Sequence, residues 1–572
     1  MVPPFSILTI GTLTAAAPRL HRRVLLSRAK HPSLSGHARW ARRIARLIRF
    51  FAYDDDTFFA SDGAPDAIAR ARRNGLERLR REVRETAPRT VETNESLRNS
   101  ISDVCFTTAY RVPFPYRNLV PEELRYGSIV EETRGVRIKD IDGNWRYDVS
   151  GSYGVNVFGY DFYKDCIARG HASVEQLGPV LGPYHPLIRE NVEWLRDVSG
   201  LDEVSFHMSG TEAVMQAVRL ARYHTRRTHL VRFCGAYHGW WDGVQPGVGN
   251  SRRVNDAYTL ADLSDRSLRV LETRGDIACV LVNPLQALHP NADSPSDGML
   301  IASDRTAHFD RTRYTAWLAR LREVCTRRNI VLIFDEVFTG FRLARRGAQE
   351  YFGIQADMVT YGKTLGGGLP VGVLCGRRDL MKRYRDEAPA DIAFARGTFN
   401  SHPYVLGAMH AFLEQLQSDE IQCLYRDLDG LWDGRIAELN RQLADAGLPV
   451  RIANMQTVLT VLYTTPSRYN WMFQFYLRAE GLELGWIGSG RFIMSLDYSE
   501  DDFREVTQRF VRAAQRMNQD QWWWHPPGLT NKSIKRMMMR DMLMARFPRL
   551  RMLLPQPAVA ARDRRVGEVG TW

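Results

Sequence analysis

The chain is 572 residues long, more than a single hydrophobic core accommodates. With 44% hydrophobic and 25% charged residues it is globular in composition, neither disordered nor fibrous, and no run of about 18 apolar residues is present to cross a bilayer. The net charge of +13 is almost all arginine, since only seven lysines occur, and the excess sits at the two ends, which argues against a nucleic-acid reader.

Residues 1–95 join an apolar start, Phe5 to Ala17, to an arginine-rich helical segment; residues 1–53 hold ten Arg or Lys and no Asp or Glu. In that segment Ile44, Leu47, Ile48 and Phe51 share one helical face, and Arg42, Arg43, Arg46 and Arg49 lie mostly on the other. Its leading reading is an extra helix packed on the body with a solvated basic face. The alternatives are a targeting leader, or docking to a membrane surface or carrier protein through the basic ends.

From about residue 96 to 520 short apolar runs alternate with helical segments. Leu230–Cys234, Ile277–Val282, Ile330–Phe334, Met358–Tyr361 and Val371–Cys375 read as strands. Between the second and third, Tyr314, Trp317, Leu318, Leu321, Val324 and Cys325 recur at helical spacing. Such βαβ units predict an α/β fold with a mainly parallel sheet, whose ligands gather at the carboxyl ends of the strands. After about 520 the chain opens on Trp522-Trp523-Trp524 and continues Met- and Arg-rich, as a lid, a dimer arm or a docking surface. The seven cysteines are scattered, with no CxxC pair, so a zinc site or disulfide framework is not expected and a reducing, cytoplasmic setting is.

Four segments carry chemistry. Lys363 follows the strand Met358–Tyr361 and precedes Thr364-Leu365-Gly366-Gly367-Gly368. An apolar setting lowers an ammonium pKa, as an amine nucleophile toward an aldehyde needs, although a lysine in a flexible surface turn reads similarly. Asp335 ends the run Ile330–Phe334, where a carboxylate is costly unless it meets a cation such as a protonated pyridine nitrogen; a turn-capping Asp is the plainer alternative. Ser209-Gly210-Thr211-Glu212-Ala213 opens a helix over Ala213 to Tyr223 and makes a phosphate seat or an ordinary cap. Tyr237-His238-Gly239-Trp240 offers an aromatic that lies on a bound ring or packs on the core.

In this order the four segments resemble the class III (subgroup II) aminotransferases, pyridoxal-phosphate enzymes, and most of all their glutamate-1-semialdehyde 2,1-aminomutase branch. The stretch LIFDEVFTGFRLARRGAQEYFGIQADMVTYGKTLGGGLPVGVLCG, Leu332 to Gly376, is similar nearly throughout, and the resemblance covers about 96 to 520. It implies the fold-type-I, aspartate-aminotransferase-like architecture. A large cofactor domain (161–410) and a small α+β domain from both chain ends (96–160 and 411–520) would be flanked by basic extensions (1–95 and 521–572).

The resemblance also implies roles. Lys363 would carry pyridoxal 5′-phosphate as a Schiff base and move the substrate proton, with pyridoxamine phosphate as the carrier of the amino group. Asp335 would keep the ring nitrogen protonated, Val337 and Tyr237 would lie on the two ring faces with His238 adjacent, and Ser209, Gly210 and Thr211 would bind the phosphate. Thr398 would reach the phosphate of a neighbouring subunit, which implies a homodimer with shared active sites.

Several positions depart from the family pattern. Asn283-Pro284-Leu285-Gln286 replaces the usual Glu-Pro, Leu288 stands where ω-aminotransferases carry a gating glutamate, Gly151-Ser152-Tyr153-Gly154 replaces Gly-Ser-Trp-Gly, and Asn400-Ser401-His402-Pro403 replaces Ser-Gly-Asn-Pro. Arg111 and Arg117 are candidates for a substrate carboxylate. The expected activity is an aminotransferase acting between a small amino donor and a carbonyl acceptor. The alternatives are the intramolecular aminomutase, a decarboxylase or racemase on the same fold, and a non-catalytic scaffold.

Overall fold

The computed structural model describes residues 4–31, 37–125, 127–245, 249–252, 254–288, 307–485 and 490–547. The chain first forms β1 (Val130–Arg134), β2 (Arg137–Asp140) and β3 (Trp145–Asp148). Next come β4 (Glu203–His207), β5 (His229–Phe233), β6 (Ala257–Leu260), β7 (Ile277–Val282), β8 (Val331–Asp335), β9 (Met358–Gly362) and β10 (Gly372–Gly376). The last four are β11 (Val450–Met455), β12 (Val458–Tyr463), β13 (Leu482–Glu483) and β14 (Arg491–Ile493).

The main sheet has the order β4-β10-β9-β8-β7-β5-β6. Neighbours from β9 to β6 pair in parallel, while β10 is antiparallel to both β9 and β4. Every residue of β7, β8, β9 and β10 is buried, because a sheet covered on both faces selects continuous apolar strands rather than alternating ones. The five expected strands are present, each within one residue of its expected ends; Asp335 is the last residue of β8 rather than the first beyond it. The expected helix between β7 and β8 is Arg311–Arg328, buried through the six apolar residues that announced it. The Asp310 side chain caps its first turn, and Asn329 ends it in the left-handed region at φ 50°. Helix Gly210–Thr225 covers one sheet face, with Val214, Val218 and Ala221 in one cluster with Leu281 and Ile333.

Two smaller sheets complete the body. In β1-β2-β3-β13 the late strand β13 pairs in parallel with β3, and β11-β12-β14 is antiparallel throughout. Residues more than three hundred apart in sequence therefore share one sheet.

The chain ends are built in more firmly than their composition suggests. Phe58, Phe59, Tyr116, Tyr469, Trp471, Trp522 and Trp523 are all buried, and Tyr469 and Trp522 lie 5.2 Å apart, centroid to centroid. Arg72 is wholly buried among them. It holds Asp62 with both terminal nitrogens (2.9 and 2.7 Å) and donates its remaining protons to the carbonyls of Phe59, Gln521 and Trp524. Trp522 and Trp523 are thus core residues, which corrects the lid, dimer-arm and docking readings for this part of the C-terminal stretch. Helix Asn531–Arg546 turns back over the N-terminal segment, where Tyr53 and Arg468 both reach Asp541.

The helix expected near residue 44 is Ala38–Leu47; Arg43 and Arg46 on its basic face, and Arg49 just beyond it, are exposed as expected, but its apolar face is not packed on the body. Trp40 and Leu47 on its apolar face are 58% and 63% exposed, while Arg42 from the basic face donates to the carbonyls of Asn250 and Arg252. The side chains of Phe5 to Ala16 and the basic run beyond Phe547 lie outside the described residues.

Candidate active site

The functional side chains stand at the carboxyl ends of adjacent strands, as expected for an open α/β sheet. Register does the work: Asp335 on β8 pairs with Thr360 on β9, and Gly362 pairs with Gly372 on β10. Lys363, one residue beyond β9, is thereby brought beside the end of β8.

Asp335 is 3% exposed. Its Oδ1 accepts from the Val337 backbone N–H (3.2 Å) and the Thr360 hydroxyl (3.3 Å), and its Oδ2 lies 2.8 Å from His238 Nδ1. His238 is equally buried, and its Nε2 has no hydrogen-bond partner among the described residues. An orphaned ring nitrogen behind a strand-end carboxylate is costly to keep unless a bound group shares the network.

Lys363 occupies the left-handed region at φ 48°, opening a tight turn through Gly366. Burial holds its amine below the ordinary lysine range, the nearby Asp335 carboxylate opposes that shift, and the Arg342 guanidinium adds to it. Its Nζ lies 5.9 Å from the centre of the Phe338 ring.

The phosphate-seat residues open helix Gly210–Thr225. Ser209 caps it by accepting from the Glu212 N–H (3.3 Å), and the Glu212 carboxylate returns a bond to the Met208 N–H (3.0 Å). Gly210 is needed for close approach: a Cβ there would fall 2.6 Å from a Val337 methyl. A Cβ on Gly239 would come as near to the Thr211 hydroxyl, so the Tyr237-His238 loop lies on the same helix start. Tyr237 itself is 54% exposed, above this floor, with its carbonyl held by the Asn283 amide (3.1 Å). Burial and the Asp335 carboxylate both push its phenol up.

Thr398 is exposed, and its loop turns toward the same helix start, with Gly397 beside Asn400 and Glu212. The structure therefore gathers Lys363, Asp335, His238, Val337, Ser209, Gly210 and Thr211 at one floor, sets Tyr237 above it, and leaves Thr398 on the surface.

The opposite wall is strained. Gly151, Ser152, Tyr153 and Gly154 all have positive φ, at 54°, 44°, 58° and 93°. Two non-glycine residues there cost energy that ordinary loops avoid. A Cβ on Gly154 would meet Phe338 at 2.5 Å and the Lys363 side chain at 3.5 Å. Arg111 is buried within electrostatic reach of Tyr153, Arg478 and Glu483; burial, then Arg478, brings it down to about 9. Arg117 instead lies over Tyr110 and donates to the Val112 carbonyl. Leu288, at the gate position, is wholly buried in the core.

Phe338, Thr360 and Arg342 were not singled out from the sequence. The inward-facing Thr360 in the buried run of β9 was a readable signal, whereas Phe338 and Arg342 acquire meaning only once β8 and β9 are in register.

A parallel sheet with one antiparallel strand, a buried Asp and a shielded Lys at neighbouring strand ends, and a helix start shaped for phosphate together fit pyridoxal 5′-phosphate. The orphaned His238 nitrogen and the Gly210 approach are the particular fit. The family model described as Aminotransferase class-III matches residues 121–287 and 305–514, and the chain belongs to that family, whose cofactor is pyridoxal 5′-phosphate.

The chain is 33% identical over 308 residues to a glutamate-1-semialdehyde 2,1-aminomutase of Acetivibrio thermocellus, a match covering 51% of this chain and 66% of that protein. It is 31% identical over 364 residues to the Methanocaldococcus jannaschii protein of the same name, covering 60% and 79%. Among solved structures, a glutamate-1-semialdehyde-aminomutase from Pseudomonas aeruginosa superposes with TM-score 0.61 at 20% identity, covering 78% of this chain and 98% of that one. A β-phenylalanine aminotransferase from Variovorax paradoxus gives 0.59 at 22%, covering 77% and 96%. The structural likenesses establish the fold.

Proposed function

We propose that this protein is a pyridoxal-phosphate-dependent aminotransferase that moves an amino group from a small-molecule donor to a carbonyl acceptor. The observation that carries the reading is the joining of Lys363, Asp335 and His238 at the ends of two paired strands, beside a helix start where Gly210 packs on Val337 too closely for a Cβ.

Lys363 would bind the cofactor through its Nζ. A buried amine that gives up its proton readily attacks an aldehyde carbon, and once displaced by the substrate amine it is placed to take the Cα proton and return it elsewhere. Bound there, pyridoxal phosphate supplies an electron sink for the pair left when that proton departs. Asp335 would hold a proton on the ring nitrogen, and the His238 contact to its Oδ2 fixes the carboxylate for that role. Ser209, Gly210 and Thr211 offer free backbone N–H groups and the positive end of helix Gly210–Thr225 to a phosphate. Val337 and Tyr237 would bracket the ring.

We further infer a homodimer in which Thr398 serves the neighbouring subunit. The exposed apolar residues Ile392, Phe394 and Phe399 around Thr398 support a second copy covering this face. In that reading the seven-stranded sheet belongs to the large domain and the two smaller sheets to the small one. Seven cysteines outside any disulfide among the described residues, five of them buried, support a reducing, cytoplasmic setting.

The aminomutase is the second reading, supported by the names of the relatives. Against it stand the altered walls: Tyr153 in its strained turn, and Asn283 tied to Tyr237. Incubation with single amino donors, followed by added keto acids, tests the two. The first reading expects bleaching of the bound cofactor's visible band by a donor and its return with a keto acid, with amino product formed. Glutamate-1-semialdehyde converted alone to 5-aminolevulinate, with no response to any donor, would overturn it for the second.

A further inference from the structure

Arg342 is wholly buried, a state arginine rarely adopts without an acid to meet it. It has none. One terminal nitrogen donates to the Thr457 hydroxyl (2.9 Å) and the Met494 carbonyl (2.7 Å), and the other to the carbonyls of Gly154 and Asn156 (3.4 Å each). All four acceptors are neutral. The groups whose charge would favour it are the phenols of Tyr163 and Tyr425, and its Nε has no acceptor among the described residues.

Its place gives the buried charge a neighbour to act on. The guanidinium carbon lies 5.3 Å from the centre of the Phe338 ring, and Lys363 Nζ lies 5.9 Å from the same centre. Gly154, whose carbonyl accepts from Arg342, also packs against both Phe338 and the Lys363 stem. Two side chains able to carry positive charge therefore lie against one aromatic ring. The charged groups that act on Lys363 are Asp335, which favours its ammonium form, and Arg342, which opposes it. Tyr163, bonded to Thr364 next in the chain (2.5 Å), is a neutral neighbour.

We propose that Arg342 is a positioning residue for Lys363, a permanent charge seated on neutral acceptors that disfavours a second cation beside Phe338 and keeps the lysine amine free to react. The proposal rests on Lys363 as the cofactor lysine, but its effect is a property of the protein without cofactor. A buried like charge at roughly 10 Å shifts a neighbouring amine by about one pH unit at intermediate dielectric. In the absence of Arg342 the free-amine fraction near neutral pH would fall about tenfold.

The test is the pH dependence of Lys363 acylation in cofactor-free protein, read by mass spectrometry of its peptide, with exposed Lys164 as internal reference. Arg342→Gln, which drops the charge and keeps donors for the same carbonyls, should raise the Lys363 midpoint by about one pH unit, and Arg342→Lys should restore it. A folded Arg342→Gln protein with an unchanged midpoint would show that the arginine is only structural. Should Arg342→Gln fail to fold, Arg342→Met, which fills similar volume without charge, takes its place: a Lys363 midpoint raised by about one pH unit supports the proposal, and an unchanged midpoint overturns it. Failure to bind cofactor with an intact titration shift would sink the proposed function and leave this inference standing.

Discussion

Arg72 and Arg342 are both wholly buried, in regions built on opposite terms. Around Arg72, where the chain ends wrap the aromatic cluster, every guanidinium proton finds an acceptor, one partner is a carboxylate, and the Trp522 and Trp523 ring N–H groups are bonded to Tyr476 and Asn470. Around Arg342, at the end of the main sheet, the acceptors are neutral, His238 Nε2 has no partner among the described residues, and Ser152, Tyr153 and Lys363 adopt left-handed backbone. The contrast teaches that the first region is optimised for holding and the second for reacting. That His238 nitrogen, the left-handed Lys363 and a buried cation without a carboxylate all stand beside the reacting lysine, where their cost in stability serves chemistry.

Substitutions should separate the two regions cleanly. The largest effect is expected on turnover: Asp335→Ala should lower it on the order of 10³-fold while leaving Tm close to the parent value, checked by steady-state kinetics beside calorimetry. A fall in Tm as large as that of a core variant would break the distinction. In the other region, Trp522→Ala removes a buried ring and should cost about 3–5 kcal/mol of stability, with turnover per folded molecule unchanged in urea titration against activity.

A smaller effect concerns Glu336, the neighbour of Asp335, which accepts from the Ala348 (2.6 Å) and Gln349 (3.2 Å) N–H groups. Burial pushes it up to about 8 from an ordinary 4.5. Below 4.5 both the folded and the unfolded chain hold the proton, so Glu336 adds no pH dependence. Between 4.5 and 8 the unfolded chain releases its proton first, so stability falls as pH rises, by up to about 1.4 kcal/mol per unit; above 8 the loss is complete. Glu336→Gln should flatten the stability profile between pH 5 and 8. An unaltered slope would mean that Glu336 is ionised in the native protein.

The reacting region was far more legible in the sequence than the holding one. β8 and β9 are unbroken apolar runs ended by Asp335 and by Gly362-Lys363, and local signals of that kind survive without knowledge of the fold. The edge strands β4 and β6 were missed because each is short and only partly buried, with polar residues such as Glu203 and Thr259 among the apolar ones. The wrap of chain ends was missed for a different reason. Arg72 and Trp522 meet across hundreds of residues, and neither belongs to any motif, so arginine and tryptophan clusters read as surface features until long-range packing buries them. The same holds inside the site for Arg342, whose four acceptors come from three distant segments.

The central claim is that Lys363 is the amine that holds the cofactor. Borohydride reduction of the protein loaded with pyridoxal phosphate, followed by peptide mapping, tests it directly. The account predicts a stable pyridoxyl group on the peptide containing Lys363 and none on that peptide in Lys363→Ala; an adduct on another lysine, or no adduct with saturating cofactor, would contradict it.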